Sequence, residues 1–235
     1  MIREAKNAKI NNDLRAAYQS ATESFLAAWS YAFTYETPPC RINEFGIIDE
    51  ARYDTDEGVL FVGKETNNWR DQDYENGTLF RSWMETITRR GLAGGDHISQ
   101  HPNMWYNIGR WATLVYDSDA ALDEVANMKA SAISAIGRIA FTNINKVRGK
   151  ESSRQEYNQL AKTSIAKELL RREVEIIQPK FIICCGTYHT VVQALPGYNG
   201  NLIRMPHPGS RKKTATMLED LNKQLILEKE NGRID

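Results

Sequence analysis

Apolar and aromatic positions between Asp13 and Tyr35 recur every three or four residues: Leu14, Ala17, Tyr18, Ala21, Phe25, Ala28, Trp29 and Ala32. That spacing predicts an amphipathic N-terminal helix, stopped by the prolines of "TPPC". The period then changes. "GVLFVGKETNNW" holds a short continuous apolar run, Val59 to Val62, opening into glycine and a polar loop, the pattern of a buried strand. "GTLFRSWMETITRRGL" predicts a helix closed by Gly91, "GGDHISQHP" a loop, and "NMWYNIGRWATLVY" an aromatic-rich helix or partly irregular stretch. "RIAFTNINKV" is strand-like. A long helical period follows from about Ser153 to Ile177, closed by Pro179. "KFIICCG" is a third buried strand, "TYHTVVQAL" a helix, "LIRM" a fourth strand, and Thr214 to Glu230 a last helix.

Strands alternating with helices predict an α/β fold, specifically a three-layer α/β/α sandwich around a central four-stranded, mainly parallel sheet. At 235 residues the chain fits one domain, with an N-terminal helical region, 1–40, packed on an α/β core, 58–230. No repeat or low-complexity tract interrupts it.

Composition narrows the functional classes. The 30 basic and 30 acidic side chains cancel, so any nucleic-acid surface must come from local clustering rather than net charge. Cys40, Cys184 and Cys185 form no CxxC pair and are too few for a four-cysteine metal or iron–sulfur site; they read as reduced thiols. His97 and His101 lack paired ligand spacing, so neither a metal nor a cofactor is expected. No apolar run approaches the roughly 18–20 residues that span a bilayer, and the first residues lack a secretory apolar core, so a cytoplasmic protein without membrane contact is expected.

In parallel sheets, sites gather where strands end at their carboxyl edge. The first strand delivers Gly63, Lys64, Glu65, Thr66, Asn67 and Asn68, the second Thr142, Asn143 and Asn145, and the fourth His207, Pro208 and Gly209. A histidine between two prolines has little backbone freedom, so its imidazole is aimed before any substrate arrives.

"LFVGKETN", "FTNINKV", "IIQPKFIICCG" and "RMPHPGS", in this order and sheet context, resemble the uracil-DNA glycosylase superfamily over about Val59 to Lys213. "FTNINKV" is most similar to the bacterial and archaeal branches. The resemblance implies an enzyme that flips a nucleotide out of DNA and hydrolyses its N-glycosidic bond, leaving an abasic site. It places Glu65 beside the sugar, steering water and stabilising the sugar cation, and His207 as hydrogen-bond donor to pyrimidine O2. Gly63, Asn67, Phe80 and Asn143 would form the base pocket, Phe80 stacking and Asn143 reading the base edge; Tyr74 and Trp83 compete with Phe80 for the stacking role. Ser210, Arg211, Lys212 and Lys213, with Lys146, Arg148 and Lys150, would meet phosphates.

The chain departs from the family pattern at Thr66, where a proline is usual, at Gly209, where a serine is usual, and at Asn67, where the best-known uracil enzymes carry a tyrosine against pyrimidine C5. A small polar wall at Asn67 points to a C5-modified pyrimidine, such as the hydroxymethylated or glucosylated cytosines of some phages. Lys64 keeps a Schiff-base lyase step open. A non-catalytic DNA- or protein-binding member of the superfamily, and a hydrolase or transferase of free nucleosides, are the competing readings.

Overall fold

The computed structural model describes residues 2–34, 41–64, 66–67, 80–90, 102–149 and 154–230. Four parallel strands, β2 (Val59–Gly63), β4 (Ala140–Asn143), β6 (Phe181–Cys185) and β7 (Asn201–Met205), form the centre of the sheet, and a short antiparallel strand, β1 (Gly46–Ile47), is added beyond β4. The order is β1-β4-β2-β6-β7. Among the described residues the sheet therefore has five strands rather than the four expected, because two residues at its edge leave no period in the sequence. A separate two-stranded parallel ladder joins β3 (Thr66–Asn67) to β5 (Arg148–Gly149).

Among the described residues, nine α-helices and one 3₁₀ turn build the layers on either face. They are α1 (Ile2–Ala32), α2 (Phe80–Arg90), α3 (Pro102–Tyr116), α4 (Leu122–Asn127), α5 (Ala130–Ala135) with the 3₁₀ turn Ile136–Arg138, α6 (Arg154–Lys162), α7 (Ser164–Ile177), α8 (Tyr188–Ala194) and α9 (Thr214–Glu230). The handedness rule explains which helix lies where. The connection from β2 to β4 runs one way across the sheet, whereas those from β4 to β6 and from β6 to β7 run the other way, so right-handed crossovers send their helices to opposite faces. Accordingly α1, α6, α7 and α8 pack together on one face, and α2 to α5 with α9 on the other. The direction of the connections reverses between β2 and β6, and the carboxyl ends at such a reversal are where open parallel sheets place their sites.

The strand interiors are apolar because both faces are covered: every residue of β2, β4 and β6 is buried. Cys184 and Cys185 lie in β6 as buried free thiols, and burial pushes the Cys184 thiol up to about 12, which leaves it inert as a nucleophile. Around the sheet, Trp29, Trp111, Phe25 and Phe61 fill one continuous core that includes α1.

Helix α1 begins at Ile2, well before the expected Asp13. Its first turns turn inward with asparagines, not apolar residues: Asn7 donates to the carbonyls of Glu50 and Tyr53, at 2.7 and 2.9 Å. Asn11 embraces Ile47 of the edge strand, accepting from its amide at 3.0 Å and donating to its carbonyl at 3.1 Å. Gly46, at φ 143°, makes that approach possible, since a Cβ there would lie 2.6 Å from Asn11 Oδ1. At the opposite edge Gln224 of α9 does the same to Arg204 of β7, accepting at 2.9 Å and donating at 3.0 Å.

The helix expected over 153–177 is two helices, α6 and α7, broken at Thr163. The Thr163 hydroxyl accepts from the Ala166 amide at 3.3 Å and donates to the Leu160 carbonyl at 2.7 Å, capping the second helix while ending the first.

Candidate functional site

Register brings the candidate residues to one edge of the sheet. Gly63 pairs with Asn143, so the last residues of β2 and β4 are neighbours. Asn143 is buried, and its Oδ1 lies 2.2 Å from where a Cβ on Gly63 would be. The missing side chain at Gly63 is what admits the carboxamide. Below the edge, Ile144 and Asn145 donate their amides to the carbonyls of Gly63 and Lys64, at 3.0 and 2.8 Å, and Asn145 Oδ1 accepts from the Val147 amide at 3.0 Å. These bonds end the strand and fix the turn that presents Asn143. The expected strand "RIAFTNINKV" therefore stops at Asn143, with its polar half used as a turn.

His207 follows β7 and is solvent-accessible at the rim. Its backbone lies beside Gly186, which leaves β6 at φ 75° and would place a Cβ 3.4 Å from the His207 amide. The Gly186 amide in turn bonds the carbonyls of Cys184 and Met205, both at 2.9 Å. Thr187 ties the same turn to β2, its hydroxyl donating to the Val62 carbonyl at 2.7 Å.

The imidazole is polarised by its own loop. The Gly209 amide donates to His207 Nδ1 at 3.1 Å, so Nδ1 is the acceptor and the proton of the neutral ring resides on Nε2. Desolvation by the surrounding loop atoms, and then the Lys64 ammonium, hold the His207 pKa below the usual histidine value. The ring thus presents a neutral Nε2–H donor near neutral pH. Gly209 also fits closely, because a Cβ there would come within 3.3 Å of Nδ1.

Helix α3 touches β4 through Trp105 and the His207 loop through Asn107. Phe141 packs on Trp105, with ring centroids 5.7 Å apart, and Asn143, two residues further along β4, faces the same layer. From the same helix, Asn107 Nδ2 donates to the Pro208 carbonyl at 2.8 Å, and Met104 Cβ lies 3.8 Å from the position of a Gly209 Cβ. Lys64, half-buried, places its ammonium 4.6 Å from the centroid of the Tyr157 ring.

Other expected site residues are placed only in part, or not at all. Glu65 lies outside the described residues, as do Tyr74, His97, His101 and Lys150. Asn67 is in β3, paired with Gly149, and Phe80 opens α2; their side chains, and those of Trp83 and Arg148, lie outside the description. Among the described residues no group of three His, Cys, Asp or Glu side chains could hold a metal ion, and no helix is long and apolar enough to cross a membrane.

The basic rim is smaller than expected. Lys146 does not face outward: it is wholly buried, its ammonium bonded to Glu173 Oε1 and Thr142 Oγ1, both at 2.5 Å. Thr142 also donates to Glu173 Oε1 at 2.9 Å, and the Tyr18 hydroxyl completes the cluster. Burial pulls the Lys146 ammonium below its ordinary range against the opposing pull of Glu173, and burial with the nearby carboxylate drives the Tyr18 phenol up. Lys212 is exposed but paired with Asp220 of α9. Ser210, Arg211 and Lys213 precede α9 in a turn rather than opening it; Arg211 and Lys213 are exposed, and the Ser210 hydroxyl meets Met217 Sδ at 3.7 Å.

Asn107, Gly186 and Thr187 escape the sequence reading. Asn107 left one signal, a carboxamide within the apolar run "MWYNIGRW". No protein-family model matches the chain, and no curated protein matches it.

Proposed function

We propose that the chain is a monofunctional DNA glycosylase that hydrolyses the N-glycosidic bond of a flipped-out uracil or C5-modified pyrimidine. The observation that carries this reading is the neutral, Nε2-protonated His207, on a loop bonded to α3, with the Asn143 carboxamide at the end of β4, both at the carboxyl edge of a parallel sheet. A base excised from deoxyribose leaves with the bonding electrons of C1′–N, so negative charge grows on the pyrimidine O2 while the sugar becomes cationic. A fixed N–H donor aimed at that oxygen stabilises the transition state more than the ground state. His207 Nε2–H supplies the donor; Asn143 offers donor and acceptor to the base edge. Water adds hydroxide to C1′, and its proton passes to the departing base. Glu65 is the carboxylate proposed to steer that water.

A second reading is favoured by one observation. Lys146 and Lys212 are engaged within the protein, which leaves fewer free cations to hold a phosphate backbone. A hydrolase of free nucleosides needs the base pocket without the rim.

One assay separates the two. DNAs carrying uracil, hypoxanthine or C5-modified cytosine, and the matching free nucleosides, are incubated with wild type, His207→Ala, Asn143→Ala and Glu65→Ala. Alkali-labile sites in DNA that disappear in the variants support the glycosylase. Release of base from nucleosides alone supports the second reading, and turnover of neither substrate by folded wild type overturns both.

A further inference from the structure

We infer that Asn107 is a positioning residue that sets the tautomer and direction of His207 through a single peptide plane; the inference rests on the role given to His207 above. Asn107 is buried in α3, three residues ahead of Arg110. Its Oδ1 accepts from Arg110 Nη1 and from the Thr214 hydroxyl, both at 3.2 Å. Arg110 is itself fixed, donating from Nε to the Met128 carbonyl at 3.1 Å and covering the Tyr106 ring at 5.6 Å. With two donors on its oxygen, the carboxamide has one orientation, and its NH₂ must face the Pro208 carbonyl, 2.8 Å away.

The Pro208 carbonyl and the Gly209 amide are the two ends of one planar peptide. Asn107 grips the carbonyl end, and the amide end donates to His207 Nδ1. Rotating that plane by a flip would remove both bonds together, so holding its oxygen also holds its N–H. Donation to the carbonyl polarises the same peptide and strengthens its N–H as a donor. The chain of contacts therefore runs from Arg110 and Thr214, at the root of α9, through Asn107 and the 208–209 peptide to the imidazole. Its output is an Nε2–H directed away from the loop. The neighbouring prolines, Pro206 and Pro208, limit backbone motion but cannot choose a tautomer; the gripped peptide does.

Asn107→Asp keeps the acceptor for Arg110 and Thr214 but places an oxygen against the Pro208 carbonyl, and Asn107→Ser, which adds no charge, separates loss of the grip from the carboxylate's own pull on the imidazole. The measurement is the ¹⁵N shifts of the His207 imidazole across a pH titration of the full chain, with steady-state kinetics beside it. In wild type the expected pattern is one Nε2–H tautomer with a midpoint below that of free histidine. In Asn107→Asp both tautomers are expected, the midpoint rises, and kcat falls by about 10- to 100-fold with little change in KM. Should the aspartate variant fail to fold, Asn107→Ser reads the same signals. Unchanged tautomer and midpoint in a folded Asn107 variant overturn the inference. The shifts need no substrate, so a protein inactive on every nucleoside and DNA, yet with His207 tautomers that follow Asn107, would refute the glycosylase and leave the positioning role standing.

Discussion

Gly63 shows how a residue with no side chain shapes the site. Alanine there would press its methyl against Asn143 Oδ1 and Phe141, so Gly63→Ala is expected to lower stability by about 1–3 kcal/mol, read by urea unfolding, and to weaken base discrimination more than it weakens folding. His207 is expected to set the pH dependence of the proposed excision. Its proton would displace the Gly209 amide from Nδ1, so the proposed excision requires the neutral ring. Because its folded pKa is depressed, the acid limb of kcat/KM should fall below about pH 6.5, the ordinary histidine value, and should be absent from residual activity in His207→Ala. The same shift has a stability sign: the unfolded chain binds more protons at this ring, so its contribution is present above about pH 6.5 and is lost as pH falls through the folded pKa. In the buried Lys146–Glu173 pair, Lys146→Met alone is expected to cost about 3–5 kcal/mol by stranding the carboxylate, and Lys146→Met with Glu173→Leu to cost less than the single change. The placing of His207 and Asn143 at the carboxyl edge of the sheet was legible because a proline frame and a strand end are visible in the sequence. Lys146 was not: a lysine inside and a lysine on a phosphate-binding rim have the same letter, and only the fold brings Glu173 to it from 27 residues away.

At the scale of elements, the long apolar periods were readable and their interruptions were not. Strands β2, β6 and β7 and helix α9 lie where the pattern puts them, since buried parallel strands and amphipathic helices each need sustained apolar positions. The break between α6 and α7 was hidden because Leu160 and Ile165 continue the apolar face across it, while Thr163 stops the hydrogen bonding locally. Thr163→Ala should cost about 1 kcal/mol, seen as a lower midpoint in denaturant with an unchanged m value. The early start of α1 was invisible for the opposite reason: Asn7 and Asn11 occupy its inward face, so the usual hydrophobic signal is missing. Helix α2 is held by a charge pair that likewise leaves no periodic trace. Arg89 binds both Asp49 oxygens, at 3.1 and 3.0 Å. Burial raises the Asp49 pKa, but the Arg89 hydrogen bonds and the Ala51 amide outweigh it and hold the carboxyl below its usual range.

For the molecule as a whole, the layer order and the placing of helices on both faces followed from the alternation of strands and helices, while the fifth strand and the interior use of Lys146 did not. The sheet is finite because its flanks are occupied. Asn11 and Gln224, from helices at opposite ends of the chain, each satisfy the outward amide and carbonyl of one residue on an outermost strand. Bare strand flanks invite another chain to pair with them. Gln224→Ala is therefore expected to raise concentration-dependent self-association, measured by light scattering, with little change in the monomer's far-ultraviolet dichroism. Two carboxamides thus act as counterfeit neighbours, each seated where the next strand of a longer sheet would have to bond.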